Sequence, residues 1–292
     1  MNPALSTISI PPAPAPIGLI AGAGGLPLLV ARGLKHQGRP VYAVGFAGQY
    51  EKELPPLCDR FRRVGLLRLG QWARSLHRMG VTHAIMVGGV DKAKLMHDPF
   101  RLVRQIPDVR TLVVWHTTLR HDRRSSALLR AVADELATRG VTLIDSTHAI
   151  TEHLAGPGVL TKRAPTKEQQ ADIDFAWPIL LSAAKLGVGQ AIAVREKDVI
   201  AVEASEGTNA MIRRAGGLCS RHGWTLLKGA GPEHDRRADV PTIGPETIRA
   251  LAETGAGCAA LEANGVIIID KAETLALADK LGVAIVGVDP GA

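Results

Sequence analysis

The feature that most limits the fold of this chain is the alternation of short aliphatic runs with helical patterns, which begins at Ile17. Strands that alternate with helices at this spacing are typical of a parallel sheet with helices on its faces. We therefore predict an α/β fold for the N-terminal half. The predicted strands are 17–21, 41–44, 84–87 and 141–144, and the predicted helices are 26–35, 71–78 and 126–139.

The pattern changes near residues 151–167, where Gly, Pro and Thr replace the aliphatic runs, and we place a domain boundary there. Beyond it, the segments 192–194 and 199–203 flank a turn and predict a hairpin. A second hairpin is predicted at Ala263-Asn264-Gly265, because Asn-Gly tolerates the positive φ of a tight turn. The second half is thus a mixed α/β domain. It comprises the hairpin strands 192–194, 199–203, 258–262 and 266–270, the helices 210–222, 245–254 and 272–281, and the strand 283–288.

Composition limits the class of protein. At 292 residues the chain has room for about two domains, and its 46% hydrophobic content supports a large core. The net charge of +7 favours anionic partners. Three scattered cysteines without a CxxC pattern indicate reduced cytosolic thiols. The Pro-rich segment 1–16 lacks the pattern of a signal peptide and predicts a flexible leader, and no apolar run approaches the roughly 18 residues of a membrane span.

Two glycine-rich segments follow predicted strands and precede helical patterns. Backbone amides and a helix dipole at such a turn can bind a phosphate group. A nicotinamide dinucleotide site is disfavoured, because Pro27 stands where the fingerprint needs glycine and Gly45 follows the second strand in place of an acid. A purely structural turn remains an alternative. The candidate phosphate-binding residues are Gly22, Gly24, Gly25 and Leu26 in the first segment and Gly88, Gly89 and Lys92 in the second.

Two segments that follow apolar runs, 203–209 and 228–244, are dense in acidic and basic side chains. Carboxylates with an arginine between them can hold a divalent cation and a phosphate oxygen side by side. The two segments therefore predict one phosphate-handling site. Its candidate residues are Glu203, Glu206, Lys228, Asp235, Arg237 and Asp239.

Plain structural explanations also exist for two of these carboxylates. Asp239 can cap the turn before Pro241, and Glu203 can pair with Arg213. In that case these two side chains stabilise the fold and take no part in chemistry.

Arginines are concentrated between residues 101 and 124. Solvated charge is the ordinary explanation for such a stretch, and attraction to lipid headgroups is the alternative. A single aromatic residue, Trp115, stands among these arginines, so a stacking platform for nucleic acid is not predicted. The arginines are Arg101, Arg104, Arg110, Arg120, Arg123 and Arg124.

Several segments taken together resemble one known family, the UDP-2,3-diacylglucosamine pyrophosphatases of lipid A biosynthesis that are unrelated to calcineurin-like phosphoesterases. The resemblance covers nearly the whole chain after Ile17. The segments that carry it are Gly22-Ala-Gly-Gly-Leu-Pro27, Gly88-Gly-Val-Asp-Lys92, Leu128-Leu-Arg130, Gly189-Gln190, Ala201-Val-Glu-Ala-Ser-Glu-Gly-Thr208 and Asp235-Arg-Arg-Ala-Asp-Val-Pro-Thr-Ile-Gly244.

This resemblance implies a reaction and a domain arrangement. Water cleaves the pyrophosphate of UDP-2,3-diacylglucosamine to UMP and 2,3-diacylglucosamine 1-phosphate (lipid X), with Mg²⁺ or Mn²⁺ as cofactor. A Rossmann-like domain at 17–160 precedes a mixed α/β catalytic domain at 161–292. The implied location is cytoplasmic and peripheral to the inner membrane, with no nucleic-acid partner and room for a homodimer.

The resemblance also assigns roles to the candidate residues. The family's essential aspartate matches Asp235. Asp239 is the alternative match and is also included in the catalytic set. Arg237 and Lys228 complete this set, because guanidinium and ammonium groups neutralise phosphate charge. The expected metal ligands are Asp235, Glu203 and Glu206. The expected substrate-binding residues are Gly22, Gly24, Gly25, Leu26, Gly88, Gly89, Lys92, Gln190, Glu206, Gly207 and Thr208.

The chain departs from the family pattern where acids are expected. Ser125-Ser126 replace an acidic pair, Gly187 replaces an acid before Gln190, and Asn209 replaces an aspartate after Thr208. A catalytically silent or divergent protein of the same fold, which binds an anionic lipid or nucleotide sugar, is therefore the alternative function. A nucleotide-dependent oxidoreductase is a second alternative function, which Pro27 and Gly45 disfavour.

Overall fold

The computed structural model of the protein describes residues 10–90, 106–120, 125–219, 221–231, 234–237 and 239–289. By its internal contacts the chain divides into two units. The N-terminal unit runs to Ile150 and also takes in the short segment Asp235–Asp239. The C-terminal unit contains Thr151–His234 and resumes at Val240.

The N-terminal unit is built on a parallel five-stranded sheet in the order β3-β2-β1-β4-β5. The strand order reverses between β1 and β4, as in doubly wound α/β folds. This confirms the expected α/β, Rossmann-like architecture. The strands are β1 (Ile17–Ala21), β2 (Val41–Phe46), β3 (Arg60–Val64), β4 (His83–Val87) and β5 (Thr142–Leu143). The helices are α1 (Leu26–His36), α2 (Leu54–Leu57), α3 (Leu69–Arg78), α4 (Val109–Val114), followed by a π-helical turn at Trp115–Leu119, and α5 (Ser125–Ala137).

Strand β3 is an element that the aliphatic pattern did not predict. Its sequence, Arg-Phe-Arg-Arg-Val, carries three arginines because it is the edge strand of the sheet, where charged side chains reach solvent. Its end, Val64, is buried in a core cluster that also contains Val44, Trp72 and Leu136. A charged edge strand has no hydrophobic alternation from which it could be recognised.

The C-terminal unit contains a mixed six-stranded sheet in the order β6-β13-β11-β9-β7-β8 and a separate parallel pair, β10 and β12. This confirms the expected mixed α/β domain. Strands β9, β11 and β13 are parallel, and β7 runs antiparallel to β9. The strands are β6 (Gly158–Val159), β7 (Ala191–Arg195), β8 (Asp198–Val202), β9 (Trp224–Lys228), β10 (Thr242–Ile243), β11 (Ala256–Glu262), β12 (Ile267–Ile268) and β13 (Ala284–Val288). The helices are α6 (Lys167–Lys185), α7 (Thr208–Leu218), α8 (Pro245–Glu253) and α9 (Lys271–Leu281), with a 3-10 turn at Thr151–His153.

The two predicted hairpins have different outcomes. The first is confirmed, because β7 and β8 pair antiparallel across Glu196 and Lys197. The second is wrong: Asn264 has the expected positive φ, but β12 does not return along β11. Both edges of β11 are already paired with the parallel strands β9 and β13, so the chain after Gly265 has no free edge to pair with.

Helix α6 lies over one face of this sheet and was not recognised in the sequence. It begins with a capping box, in which the Thr166 hydroxyl accepts from the Gln169 amide while the Gln169 side chain accepts from the Thr166 amide. Ile173 and Trp177 on its inner side pack against sheet residues such as Leu227. The capping-box spacing was the available sequence signal.

The final residues of the predicted leader contact the N-terminal unit. The Arg39 guanidinium donates to the carbonyl oxygens of Ala15 and Pro11 at 3.0 and 2.9 Å. Across the described part of the chain, no helix combines the length and the apolar character needed to cross a bilayer.

Candidate functional site

The two glycine segments of the N-terminal unit meet at the reversal point of its sheet, after β1 and β4. The amides of Gly22 and Ala23 donate to the carbonyl oxygens of Val87 and Gly89 at 2.9 and 2.7 Å. A Cβ on Gly22 would lie 2.4 Å from the Gly89 oxygen, so the two backbones touch where side chains cannot fit. Gly22 therefore has a packing role in addition to any ligand role.

Beyond this contact, the loop opens into the start of α1. A Cβ at Gly24 (φ +95°) or at Gly25 would meet no atom within 4 Å, and the helix start at Gly25 has no side-chain cap. The amides at the start of an uncapped helix are the groups that bind phosphate in such folds. Leu26 is the first residue of α1, so its amide belongs to this uncapped turn.

Glu51 is a participant that sequence reasoning missed. Its carboxylate accepts a hydrogen bond from the Gly24 amide at 3.1 Å. The acid expected directly at the end of β2 is absent, but Glu51 follows the strand by five residues and reaches the glycine loop. Lys92, the predicted phosphate-binding lysine of the second glycine-rich segment, lies outside the described residues.

The segment Asp235–Asp239 is fastened to the N-terminal unit through Arg236. Its guanidinium lies 3.2 Å from the Asp145 carboxylate and donates to the Thr147 hydroxyl at 2.7 Å. The Arg236 carbonyl accepts from the Ser146 amide at 2.9 Å. Asp145 thus holds the segment that carries Asp235.

Asp235 and Arg237 form a two-pronged ion pair within this segment. The Arg237 Nε and terminal nitrogen donate to the Asp235 carboxylate at 2.9 and 2.5 Å. The hydrogen bond from Asp235 raises the pKa of the Arg237 guanidinium further above its usual value. Asp239, the third predicted residue here, is exposed.

In the C-terminal unit, several predicted residues gather at one end of the six-stranded sheet. Lys228 ends β9, Glu203 follows β8, and Gln190 precedes β7. The Glu203 amide donates to the Ala191 carbonyl at 2.8 Å, and the Gly229 amide donates to the Gln190 carbonyl at 3.0 Å. Strand order therefore brings together side chains that lie far apart in the sequence.

Lys228, Thr208 and Glu203 form a buried polar chain at this end of the sheet. The Lys228 ammonium donates to the Thr208 hydroxyl at 2.5 Å, and that hydroxyl donates to Glu203 Oε1 at 2.8 Å. Glu203 Oε2 lies 3.6 Å from the ammonium and has no hydrogen-bond partner in the described structure. Glu203 therefore pairs with Lys228, which replaces the suggested pairing with Arg213.

Glu206 lies beside this chain at the start of α7 and has its own cationic partner. Its carboxylate accepts from the Arg214 guanidinium at 2.5 Å and from the Ala204 amide at 3.1 Å. The hydrogen bond from Arg214 lowers the pKa of Glu206 below its usual value. Gly207 precedes the helix with φ +84°, a conformation that glycine accommodates without strain.

A cavity of about 410 Å³ opens at this helix start. Thr208 and Asn209, from the first turn of α7, line it together with Thr247 of α8. The Thr247 hydroxyl contacts the Asn209 side-chain oxygen at 3.3 Å, so Asn209 links the two helices. With amides, hydroxyls and Arg213 on its walls, the cavity has donors suited to a sugar or phosphate.

Glu262, at the end of β11, is a second residue that sequence reasoning missed. It is buried, and its carboxylate accepts from the amides of Ala230 and Gly231 at 2.8 Å each. This fixes the loop that leaves Lys228. An acid directly after an apolar run was the signal that could have identified it.

The predicted metal ligands each have a basic partner. Asp235 pairs with Arg237, Glu203 with Lys228 and Glu206 with Arg214. Over the described residues, which exclude Glu233, no group of three His, Cys, Asp or Glu side chains could hold a metal ion. The buried Oε2 of Glu203, which lacks a hydrogen-bond donor, is the carboxylate oxygen whose chemistry best fits a cation.

Comparison with known proteins places the whole chain in one family. Sequence models of the LpxI N-terminal domain and the LpxI C-terminal domain match residues 16–153 and 156–286. The chain is also similar to the UDP-2,3-diacylglucosamine pyrophosphatase LpxI of Caulobacter vibrioides, strain ATCC 19089. The two are 33% identical over 285 residues, which cover 94% of this chain and 98% of that protein. With both domains matched in order along the sequence, the chain belongs to the LpxI family.

Proposed function

We propose that this protein hydrolyses the pyrophosphate of UDP-2,3-diacylglucosamine in lipid A biosynthesis. The observation that carries the proposal is the similarity, over 94% of the chain, to a relative whose name states this substrate. Water adds to one phosphorus, the phosphoanhydride bond breaks, and the products are UMP and 2,3-diacylglucosamine 1-phosphate. Release of this lipid product at the cytoplasmic face of the inner membrane is part of the proposal.

The C-terminal site supplies groups suited to this chemistry. Lys228 places a positive charge beside the Thr208 hydroxyl at the N-terminus of α7. The backbone amides of this helix start have no side-chain cap and add further positive potential. Developing phosphate charge is stabilised by such fixed donors and cations. The sugar phosphate is assigned to the cavity lined by Glu206, Gly207 and Thr208.

Asp235 and Arg237 supply the second part of the proposed machinery. A carboxylate that is held in place by a guanidinium can orient a water molecule, and the same guanidinium can bind a phosphate oxygen. The glycine loop at the start of α1 is proposed to bind a phosphate of the nucleotide.

A divalent cation, Mg²⁺ or Mn²⁺, completes the proposal, and Glu203, whose buried Oε2 lacks a hydrogen-bond donor, is the residue that would contribute to holding it. When bound, it would polarise the phosphoryl group and lower the pKa of a water molecule. Excess chelator is expected to abolish turnover, and added Mg²⁺ or Mn²⁺ is expected to restore it. Undiminished turnover in chelator would remove the cation from the proposal.

The proposal is tested by incubating the purified protein with UDP-2,3-diacylglucosamine in H₂¹⁸O and analysing the products by mass spectrometry. UMP and the lipid phosphate are expected in equal amounts, with ¹⁸O in only one of them, which identifies the attacked phosphorus. Binding of the substrate without any products would instead favour the silent binding protein. Neither binding nor turnover would contradict both functions.

A further inference from the structure

The N-terminal unit carries an arginine-lined groove that the proposed reaction does not use. It has a volume of about 320 Å³ and lies between β3, α3 and the segment that precedes α4. Of the described residues that line it, Asp108 is the single acid. We name this pocket the arginine groove. Its basic residues are Arg62, Arg68, Arg74 and Arg78.

Within the described residues, one carboxylate faces the four arginines of this groove. Asp108 approaches Arg74 only to 4.0 Å, and its oxygens also accept hydrogen bonds from the amides of Gln71 and Thr111. Within the described residues, Arg62 and Arg78 have no carboxylate partner, and both side chains belong to exposed residues. The groove therefore presents an excess of guanidinium groups to solvent.

Helix α4, which continues directly from the groove, has its polarity inverted relative to an ordinary surface helix. Two of its polar residues contact the protein, and of its apolar residues Val114 packs against the core. Thr111 accepts from the Leu69 amide at 3.0 Å, and Arg110 donates to Glu135 at 2.8 Å. No residue of the helix is buried. An amphipathic helix normally does the opposite and turns its apolar side chains towards the core.

Five apolar side chains of this region are exposed to solvent. Val109 is 74% exposed, Ile106 is 57% exposed, and Leu112 and Val113 are each 47% exposed. Trp115, in the π-helical turn that follows, is 43% exposed. We name these five residues the apolar ridge. Adjacent exposed apolar residues of this kind mark an interaction surface.

We propose that the arginine groove and the apolar ridge together dock the N-terminal unit on an anionic phospholipid bilayer. Aliphatic side chains enter the boundary between headgroups and acyl chains, and Trp favours the same depth. Arginines beside them contact lipid phosphates. Ile106 joins the two parts, since it lines the groove and its carbonyl accepts from Arg68 at 3.2 Å.

The combination of arginines and apolar side chains favours an anionic bilayer over a second copy of the chain or a nucleic acid. In a symmetric dimer both copies use the same surface patch, so two arginine grooves would share one interface and their like charges would repel. A nucleic acid would use the arginines but would leave the aliphatic ridge exposed to water. An anionic bilayer satisfies both parts. The inference rests on these side chains alone and does not depend on the proposed hydrolysis.

The experiment measures binding of the full chain to vesicles of phosphatidylcholine alone and of phosphatidylcholine with phosphatidylglycerol, by cosedimentation. Wild-type protein is expected to bind the anionic vesicles more tightly. Arg74→Gln with Arg78→Gln is expected to weaken that binding by about 25-fold, at about fivefold per arginine. Leu112→Gln is expected to weaken it by about tenfold, because a leucine side chain no longer leaves water.

The matched control removes the same charge elsewhere, from the exposed arginines of α1 and α8, as Arg32→Gln with Arg249→Gln. This control should bind as wild type does. An equal loss of vesicle binding in the control would show that only net charge matters and would overturn the proposed docking surface. Equal binding of the wild-type protein to both vesicle types, or no binding to either type, would overturn it as well.

Sedimentation velocity tests the remaining alternative, in which a second copy of the chain binds to this surface. If Leu112→Gln turned a dimer into a monomer and left vesicle binding unchanged, the ridge would be a self-interface and the proposal would be wrong. Circular dichroism of each variant checks that the fold is retained.

Discussion

At the scale of single residues, the candidate site consists of charges that are already paired. Lys228 is nearly inaccessible to solvent, and its ammonium group is balanced by Glu203. A buried ion pair contributes little net stability, but removal of one partner leaves an uncompensated charge and is costly. Such pairs therefore hold their members in fixed positions, which is the property that a phosphate-binding site needs.

Thr208 is the hydroxyl that joins the members of this pair. Thr208→Val keeps the volume but removes both hydrogen bonds from the Lys228–Glu203 pair. We expect the free energy of unfolding to fall by about 1–3 kcal/mol, measured by urea denaturation. Thr142→Val, on an exposed strand position, is the control and should change it little. Equal stability of Thr208→Val and wild type would show that the hydrogen bonds contribute nothing.

Asp235 is the residue on which the proposed chemistry depends most. Asp235→Asn keeps the shape but removes the charge that Arg237 holds. We expect turnover of UDP-2,3-diacylglucosamine to fall at least about a hundredfold, as for loss of a positioned acid–base or electrostatic group. The fold and lipid binding should survive, and Asp198→Asn on the exposed hairpin turn should be neutral. A variant with near-normal turnover would exclude Asp235 from catalysis.

At the scale of elements, the β7–β8 hairpin carries a strained turn. Its two turn residues, Glu196 and Lys197, have φ values of +53° and +59°, in the left-handed region where glycine and asparagine are preferred. The turn is held from α6, because the Lys197 amide donates to the buried Asp172 carboxylate at 2.7 Å. A tertiary contact thus stabilises a turn that the local sequence disfavours.

Relief of this strain gives a stability prediction. Lys197→Gly is expected to raise the free energy of unfolding by about 1 kcal/mol, the cost of a left-handed conformation for a residue with a Cβ. Arg249→Gly, in the exposed middle of α8, should instead lower it by about 1 kcal/mol. Urea denaturation measures both. Destabilisation by Lys197→Gly would mean that the turn is not strained.

At the scale of the whole molecule, each unit holds one thiol that can report on its opening, half-buried Cys58 and buried Cys258. Burial raises the pKa of Cys58, in the N-terminal unit, to about 11, and that of Cys258, in the C-terminal unit, to about 12. A raised pKa keeps a thiol protonated at pH 8, and the protonated form is a poor nucleophile.

Both thiols are therefore expected to react slowly with a disulfide reagent at pH 8 in the folded protein and rapidly in urea. Cys219→Ser removes the third thiol, and Cys58→Ser or Cys258→Ser then leaves one reporter per unit. Different urea midpoints for the two reporters would mean that the units unfold independently. Rapid labelling of either one without urea would contradict its raised pKa.

The sequence by itself determined the class of fold and the first hairpin, and it supplied candidate residues for the site. Aliphatic periodicity is a local property, and the glycine, acidic and basic residues stand in short segments, so both are visible without contacts. The partners of Glu203 and Asp145, the role of Glu262 and the failure of the second hairpin were decided only by tertiary structure. Each depends on which strands and loops become neighbours, and free sheet edges and buried charge pairs exist only after the chain has folded.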